Sequence, residues 1–169
     1  AIVLPKVESP QDINGLTEAL DAFDAETPHI WAMIETPRGI LNAAAIAELG
    51  HHSRAGLTTL IAGTNDLMKD TGVRDAVHLA PWLMQLVLAA KAGGLTVLDG
   101  VHSDFRDVTG FDAACKLARD RGFDGKTLIH PSQIDSANHA FSPSTEEVAE
   151  AESIVTAFAL PENAEKGVL

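Results

Sequence analysis

The sequence predicts an α/β fold of parallel strands, a segment of an eightfold (β/α)8 barrel rather than a doubly wound sheet. Three observations carry this. Five short apolar runs start at positions 1, 30, 58, 95 and 127 of the 169 residues, a spacing that suits one βα unit each. The runs are near-continuous rather than alternating, as strands buried on both faces of a parallel sheet should be. Each run also ends on a polar residue; a barrel collects its chemistry on the C-terminal rim, whereas a doubly wound sheet uses one switch point. A complete barrel needs about 250 residues, so residues 1–169 are expected to form a single partial-barrel domain. Both ends read as cut, because the chain opens in an apolar run without Met and stops at Glu165-Lys166-Gly167-Val168-Leu169.

In chain order, the first run, residues 1–4, leads into Pro5-Lys6-Val7-Glu8. Ser9 followed by Pro10 predicts a helix start, with Ile13, Leu16, Leu20 and Phe23 on one face at spacings of 3, 4 and 3. The second run, residues 30–34, closes on Glu35, and a helix is expected over residues 39–49. Residues 58–62 lead into Gly63-Thr64-Asn65-Asp66, with a helix over about 81–92 after them. The fourth run, residues 95–98, ends at Asp99. Thr109 with Asp112 is expected to open a helix that turns Phe111, Cys115 and Ala118 inward. The last run, residues 127–129, leads into His130, and Ser144 with Glu147 forms a capping box ahead of Val148, Ala151, Ile154, Val155 and Phe158.

With 46% hydrophobic and 21% charged residues the chain can fill a core, which excludes disordered and fibrous classes. Twelve Lys and Arg against twenty-four Asp and Glu give a net charge of −12. That field repels phosphate backbones and anionic lipid, so neither nucleic acid nor a membrane surface is an expected partner. An anionic substrate must then enter through a bound cation or a local cluster of donors. The lone Cys115 excludes an intramolecular disulfide and a Cys-rich zinc site and fits a reducing cytosol, so a cytoplasmic protein is expected. No apolar stretch approaches the roughly 18 residues that cross a bilayer, and no signal peptide is visible.

Glu35 and Asp66 are the leading candidates. Singly, Glu35 reads as the partner of a Lys or Arg or as a helix cap, and Asp66 as an Asx turn or N-cap. Together, at the ends of adjacent strands about 4.8 Å apart, they can meet over one cation, and two carboxylates with the remaining positions left to water and substrate is the usual Mg²⁺ site. The backbone of Gly63, Thr64 and Asn65 is expected to offer N–H groups to a substrate carboxylate beside it. Asp99, His102, Asp104 and Asp107 form a second polar cluster, read as Asp99 on the rim with loop and cap residues around it, or alternatively as a His and carboxylate metal site. His130 is either a satisfied rim histidine or a substrate contact. His51 and His52 are read as surface residues, and Cys115 as a buried thiol. No nucleophile elbow, Walker A loop or dinucleotide fingerprint occurs.

The runs Leu4-Pro5-Lys6-Val7-Glu8-Ser9, Ile34-Glu35-Thr36-Pro37-Arg38-Gly39, Gly63-Thr64-Asn65-Asp66-Leu67, Asp99-Gly100-Val101 and Gly125-Lys126-Thr127-Leu128-Ile129-His130-Pro131-Ser132-Gln133-Ile134 resemble, in that order, the citrate lyase beta subunit and malyl-CoA lyase family. The resemblance implies a TIM barrel of which this chain holds strands four to eight, an Arg-bearing early strand before Ala1, and an acidic C-terminal segment after Leu169. It implies Mg²⁺ held by Glu35 and Asp66, with Glu35 also touching substrate, and a homotrimer or hexamer.

The implied activity is Mg²⁺-dependent carbon–carbon cleavage of a hydroxyacyl thioester, first citryl-CoA to oxaloacetate and acetyl-CoA. Cleavage of malyl-CoA or methylmalyl-CoA, or hydrolysis of such thioesters, is the second reading. The partners would be an acyl-CoA or acyl-carrier thioester and an oxo acid such as oxaloacetate or glyoxylate. From other classes, a metal hydrolase built on Asp99, His102 and Asp104, or a non-catalytic barrel subunit, stays open. No residue of the chain reads as the general base.

Overall fold

The structure, a computed structural model, describes residues 1–23, 28–163 and 166–167; Glu165, Val168 and Leu169 of the closing run lie outside them. Five strands, β1 (Ile2–Leu4), β2 (Ile30–Ile34), β3 (Leu57–Ala62), β4 (Thr96–Asp99) and β5 (Gly125–Lys126), form one parallel sheet. Their order in space is their order in the chain. A doubly wound sheet reverses direction at its switch point; this one never does, so it is the wall of a barrel.

Among the described residues eight α-helices accompany the strands: α1 (Pro10–Asp21), α2 (Pro37–Leu41), α3 (Ala43–Ala47), α4 (Thr64–Thr71), α5 (Ala80–Ala92), α6 (Val108–Asp120), α7 (Ile134–Phe141) and α8 (Thr145–Phe158). The register gives the sheet two faces. Ile30, Ala32, Ile34, Leu60, Ala62 and Val97 join the main core cluster with Ile40, Ile46, Leu83 and Leu86 of the helices. The alternate residues Val3, Trp31, Met33, Ile61 and Leu98 look the other way, into the barrel. At the Ile30/Trp31 irregularity Ile30 pairs with Leu57 but Trp31 with Thr59, so Thr58 is an extra residue that resets the alternation.

Several elements differ from the sequence reading. The helix expected over 39–49 is two short helices meeting at Asn42, followed by 3₁₀ turns at Glu48–His51 and Ser53–Ala55. Asn42 turns its side-chain N–H to the Glu8 carbonyl at 2.7 Å. Asp107, not Thr109, caps α6, accepting from the Gly110 N–H at 2.9 Å. The last strand pairs at Gly125–Lys126 rather than 127–129: the Thr127 N–H still reaches the Asp99 carbonyl, but Ile129 is exposed. α1 ends before Phe23, which is 84% exposed, and Thr17 is buried in its place. The capping box of α8 forms as expected, yet Val148, Ile154, Val155 and Phe158 are all exposed. Among the described residues no helix is long and apolar enough to cross a membrane.

Candidate metal and substrate site

The site lies at the carboxyl ends of β2 and β3. Glu35 follows β2 directly, continues the barrel-facing row of Trp31 and Met33, and is only 4% exposed. Thr36 then caps α2, accepting from the Gly39 N–H at 3.0 Å, with Pro37 in the first turn. This cap turns the chain sharply away, leaving Glu35 at the strand end. Asp66 is not at a strand end, as the sequence suggested, but in the first turn of α4, whose positive dipole end favours a carboxylate there.

The two carboxyl groups are close neighbours, near enough for the Asp66 charge to act on Glu35. They share a cleft of about 180 Å³ with Met33, Ile61, Asn65, Val101 and Thr127. Burial pushes the Glu35 carboxyl above the usual carboxylate range. The Lys6 N–H, which donates to Glu35 Oε1 at 2.9 Å, opposes that rise, and the neighbouring Asp66 adds to it. The Lys6 ammonium stands 3.9 Å from Asp66 Oδ1. Two oxygen-rich side chains, one of them desolvated, in a cleft with room for further oxygen ligands, have the donor chemistry that suits Mg²⁺.

The raised value belongs to the folded state. The protonated form of Glu35 therefore contributes stability that is fully present below the ordinary glutamate range and is lost as pH rises through the folded value. Without a divalent cation, the protein is expected to lose melting temperature across that window. Glu35→Gln cannot ionise, so it should flatten this part of the profile and melt higher than the parent above it. Melting curves in EDTA across mildly acid to neutral pH measure the difference.

Gly63 plays another part than the one expected. Its N–H is already spent on the Ile34 carbonyl at 3.0 Å. What the site needs is its missing side chain, because a Cβ there would overlap Glu35 Cβ and stand 2.8 Å from Glu35 Oε2. Thr64 and Asn65 lie in the first turn of α4, where N–H groups have no helical partner, and both line the cleft.

The second polar cluster does not close on a common centre: His102 Nε2 stands 3.8 Å from Asp107 Oδ2, while Asp99 and Asp104 take other partners. Asp99 and its register partner Lys126 face the helices, not the barrel, and form an ion pair of 2.5 Å with side chains only 13% and 4% exposed. They line a cavity of about 280 Å³ together with Leu83, Ala114 and Leu117 and with His102 and Arg121. Asp104 accepts from the Arg106 N–H, and Asp107 caps α6. Among the described residues no three His, Cys, Asp or Glu side chains gather as a metal cage, so Asp99, His102 and Asp104 do not form a common ligand set. His130 is satisfied by Ser132 at 2.8 Å and stacks on Phe105. His51 and His52 are exposed, and Cys115 is buried with its thiol pushed up by desolvation.

Three contributors were not singled out from the sequence. Lys6 and Lys126 carry no signal in the sequence beyond being single lysines beside apolar runs. Gln133 is 2% exposed; it accepts from the Ile129 N–H and donates to the His102 carbonyl, clamping the loop after β5 to the loop after β4.

A parallel sheet in sequential order with a carboxylate pair at its carboxyl ends defines this chain as a barrel-type α/β protein with an acidic rim site. The chain belongs to the HpcH/HpaI aldolase/citrate lyase family, which its residues 1–131 match. It is 46% identical to a (3S)-malyl-CoA thioesterase of Cereibacter sphaeroides over 99% of this chain and 56% of the relative. With mitochondrial citramalyl-CoA lyase of Homo sapiens it shares 32% identity over 94% of this chain and 50% of that protein. A solved citrate lyase beta subunit from Mycobacterium tuberculosis, complexed with oxaloacetate and magnesium, superposes with a TM-score of 0.67 at 30% identity, covering 83% of this chain and 60% of that one. The chain thus spans about half the length of the curated relatives it matches.

Proposed function

We propose that Glu35 and Asp66 hold one Mg²⁺ and that the protein cleaves a hydroxyacyl-CoA thioester with it. The observation that carries this reading is the buried Glu35 carboxyl facing Asp66 in a cleft at the strand ends. Support also comes from the relatives, two of which are named for malyl-CoA and citramalyl-CoA and a third of which was solved with oxaloacetate and magnesium. When bound there, Mg²⁺ supplies a Lewis acid for the hydroxyl and carboxylate oxygens of the acid portion. Glu35 and Asp66 contribute the negative charge and the fixed direction. The amides of Thr64 and Asn65 contact the substrate carboxylate, and Met33 and Ile61 keep the floor of the cleft apolar.

The 46% identical relative moves the preferred substrate from a citryl to a malyl-type thioester and puts thioester hydrolysis beside carbon–carbon cleavage as the outcome. Residues 1–169 are proposed as strands four to eight of a homotrimeric or hexameric barrel located in the cytoplasm. The test incubates the full-length protein with malyl-CoA, citramalyl-CoA and citryl-CoA, with and without EDTA, following oxo acid and free thiol separately. Oxo acid with acetyl-CoA marks the lyase, and free thiol with intact hydroxy acid marks the thioesterase. Asp66→Asn is expected to lower kcat at least about 100-fold; turnover that survives both this change and chelation would exclude the metal role.

A further inference from the structure

The segment after β1 does more than connect β1 to α1. Among the described residues Lys6 is the only non-glycine with a positive φ, at 51°. This left-handed conformation is disfavoured for a residue with a Cβ and persists where its surroundings over-determine it. Here the surroundings do so. The Lys6 N–H donates to Glu35 Oε1 at 2.9 Å, the Val7 N–H donates to the Met33 carbonyl at 3.1 Å, and the Glu8 carbonyl accepts from the Asn42 side chain at 2.7 Å. Gly39 packs against the Val7 carbonyl so closely that a Cβ would stand 2.6 Å from it. The strained residue sits where backbone and side chain reach the two carboxylates separately, the N–H to Glu35 and the ammonium to Asp66.

We propose that Lys6 is a positioning residue with two separable parts: its left-handed backbone aims the Glu35 carboxylate, and its ammonium is a resident counter-charge on Asp66 that a divalent cation must displace. This rests on the reading of Glu35 and Asp66 as the cation ligands. The two parts have opposite signs. A fixed N–H on Glu35 removes orientational freedom and favours the cation, as hydrogen-bond partners of metal ligands do. An ammonium at 3.9 Å from Asp66 repels an incoming dication and opposes it. Half-exposed as it is, the Lys6 side chain can swing into solvent at little cost.

Calorimetric titration of MgCl₂ into the full-length protein tests this with three variants. Lys6→Gly keeps the N–H and the left-handed conformation but removes the ammonium. It should bind Mg²⁺ more tightly, about fivefold at low salt, with the gain shrinking as salt is added. Lys6→Val removes the charge too, but a β-branched residue resists this backbone conformation. Its binding should weaken about tenfold or more despite the lost repulsion. Lys6→Arg should bind like the parent. A merely structural Lys6 would move Gly and Val in the same direction, in step with stability, and that result overturns the proposal; so does unchanged affinity in both. Lys6→Asn, whose short side chain tolerates the left-handed region, replaces Lys6→Gly if the latter does not fold. Glu35→Gln and Asp66→Asn run alongside. If neither weakens Mg²⁺, the ligand assignment itself fails; if both do while the Lys6 variants match the parent, the Lys6 proposal alone is overturned.

Discussion

Replacing Gly63 by Ala is expected to cost at least about 100-fold in kcat/KM, together with about 1–3 kcal/mol of stability. A single methyl group does this because of where it lands. The new Cβ would overlap Glu35 Cβ and press on Oε2, while the Gly63 N–H is tied to Ile34, so the backbone of β3 cannot retreat without breaking the sheet. Glu35 must therefore move, and for the cation ligand we propose it to be, a displacement of about 1 Å is enough for a loss of that size. Urea unfolding gives the stability term and steady-state kinetics the other. An alanine variant with parental kcat/KM would mean that the position of Glu35 does not matter to the reaction.

The second large effect belongs to the buried ion pair. Lys126→Met should destabilise the protein by about 3–5 kcal/mol, because it leaves the largely buried Asp99 carboxylate without its ion-pair partner. That is a large share of the 5–15 kcal/mol that typically holds a domain together. The double variant Lys126→Met/Asp99→Leu should recover most of the loss, since an apolar pair fits the surroundings of Leu83, Ala114 and Leu117. Denaturant midpoints of the two single variants and the double one decide it; additive losses would show that the two side chains do not act as a pair. Cation affinity should change little in any of them, because the pair faces the helices rather than the cleft.

Local signals were legible in the sequence and long-range ones were not. Ser144 with Glu147 specifies its own cap within four residues and forms as read. Whether Val148 and Phe158 find a partner depends on what packs there, and no capping signal encodes that. The run 127–129 has the β-branched composition of a strand, but pairing is decided by where β4 ends, which puts it at Gly125–Lys126. Glu35 was legible because a carboxylate closing an apolar strand is conspicuous. Asp66 was legible as a residue and misplaced by one element, since a strand end and the first turn of the next helix read alike across four residues. Strand-end polarity suggests the rim for Asp99 but does not tell which face a residue takes, and the register turns it towards the helices. The extra residue at Thr58 shifts the alternation within β3, and a bulge of this kind leaves no mark in composition. The role of Lys6 rests on a backbone angle, which an ordinary lysine in a polar turn does not announce.

The alternation of the sheet sorts its residues into two classes with different freedom to vary. Ile30, Ala32, Ile34, Leu60, Ala62 and Val97 are packed against helices at close to full burial, where a change of even one methylene group is felt. Trp31, Met33, Ile61 and Thr127 face the other way, and the last three line the cleft that holds Glu35 and Asp66. For protein engineering this is a ready-made division of labour: under the proposed function, a combinatorial library confined to Met33, Val101 and Thr127 would sample acyl-group preference while leaving untouched the fully buried positions, Ile61 at 2% exposure included.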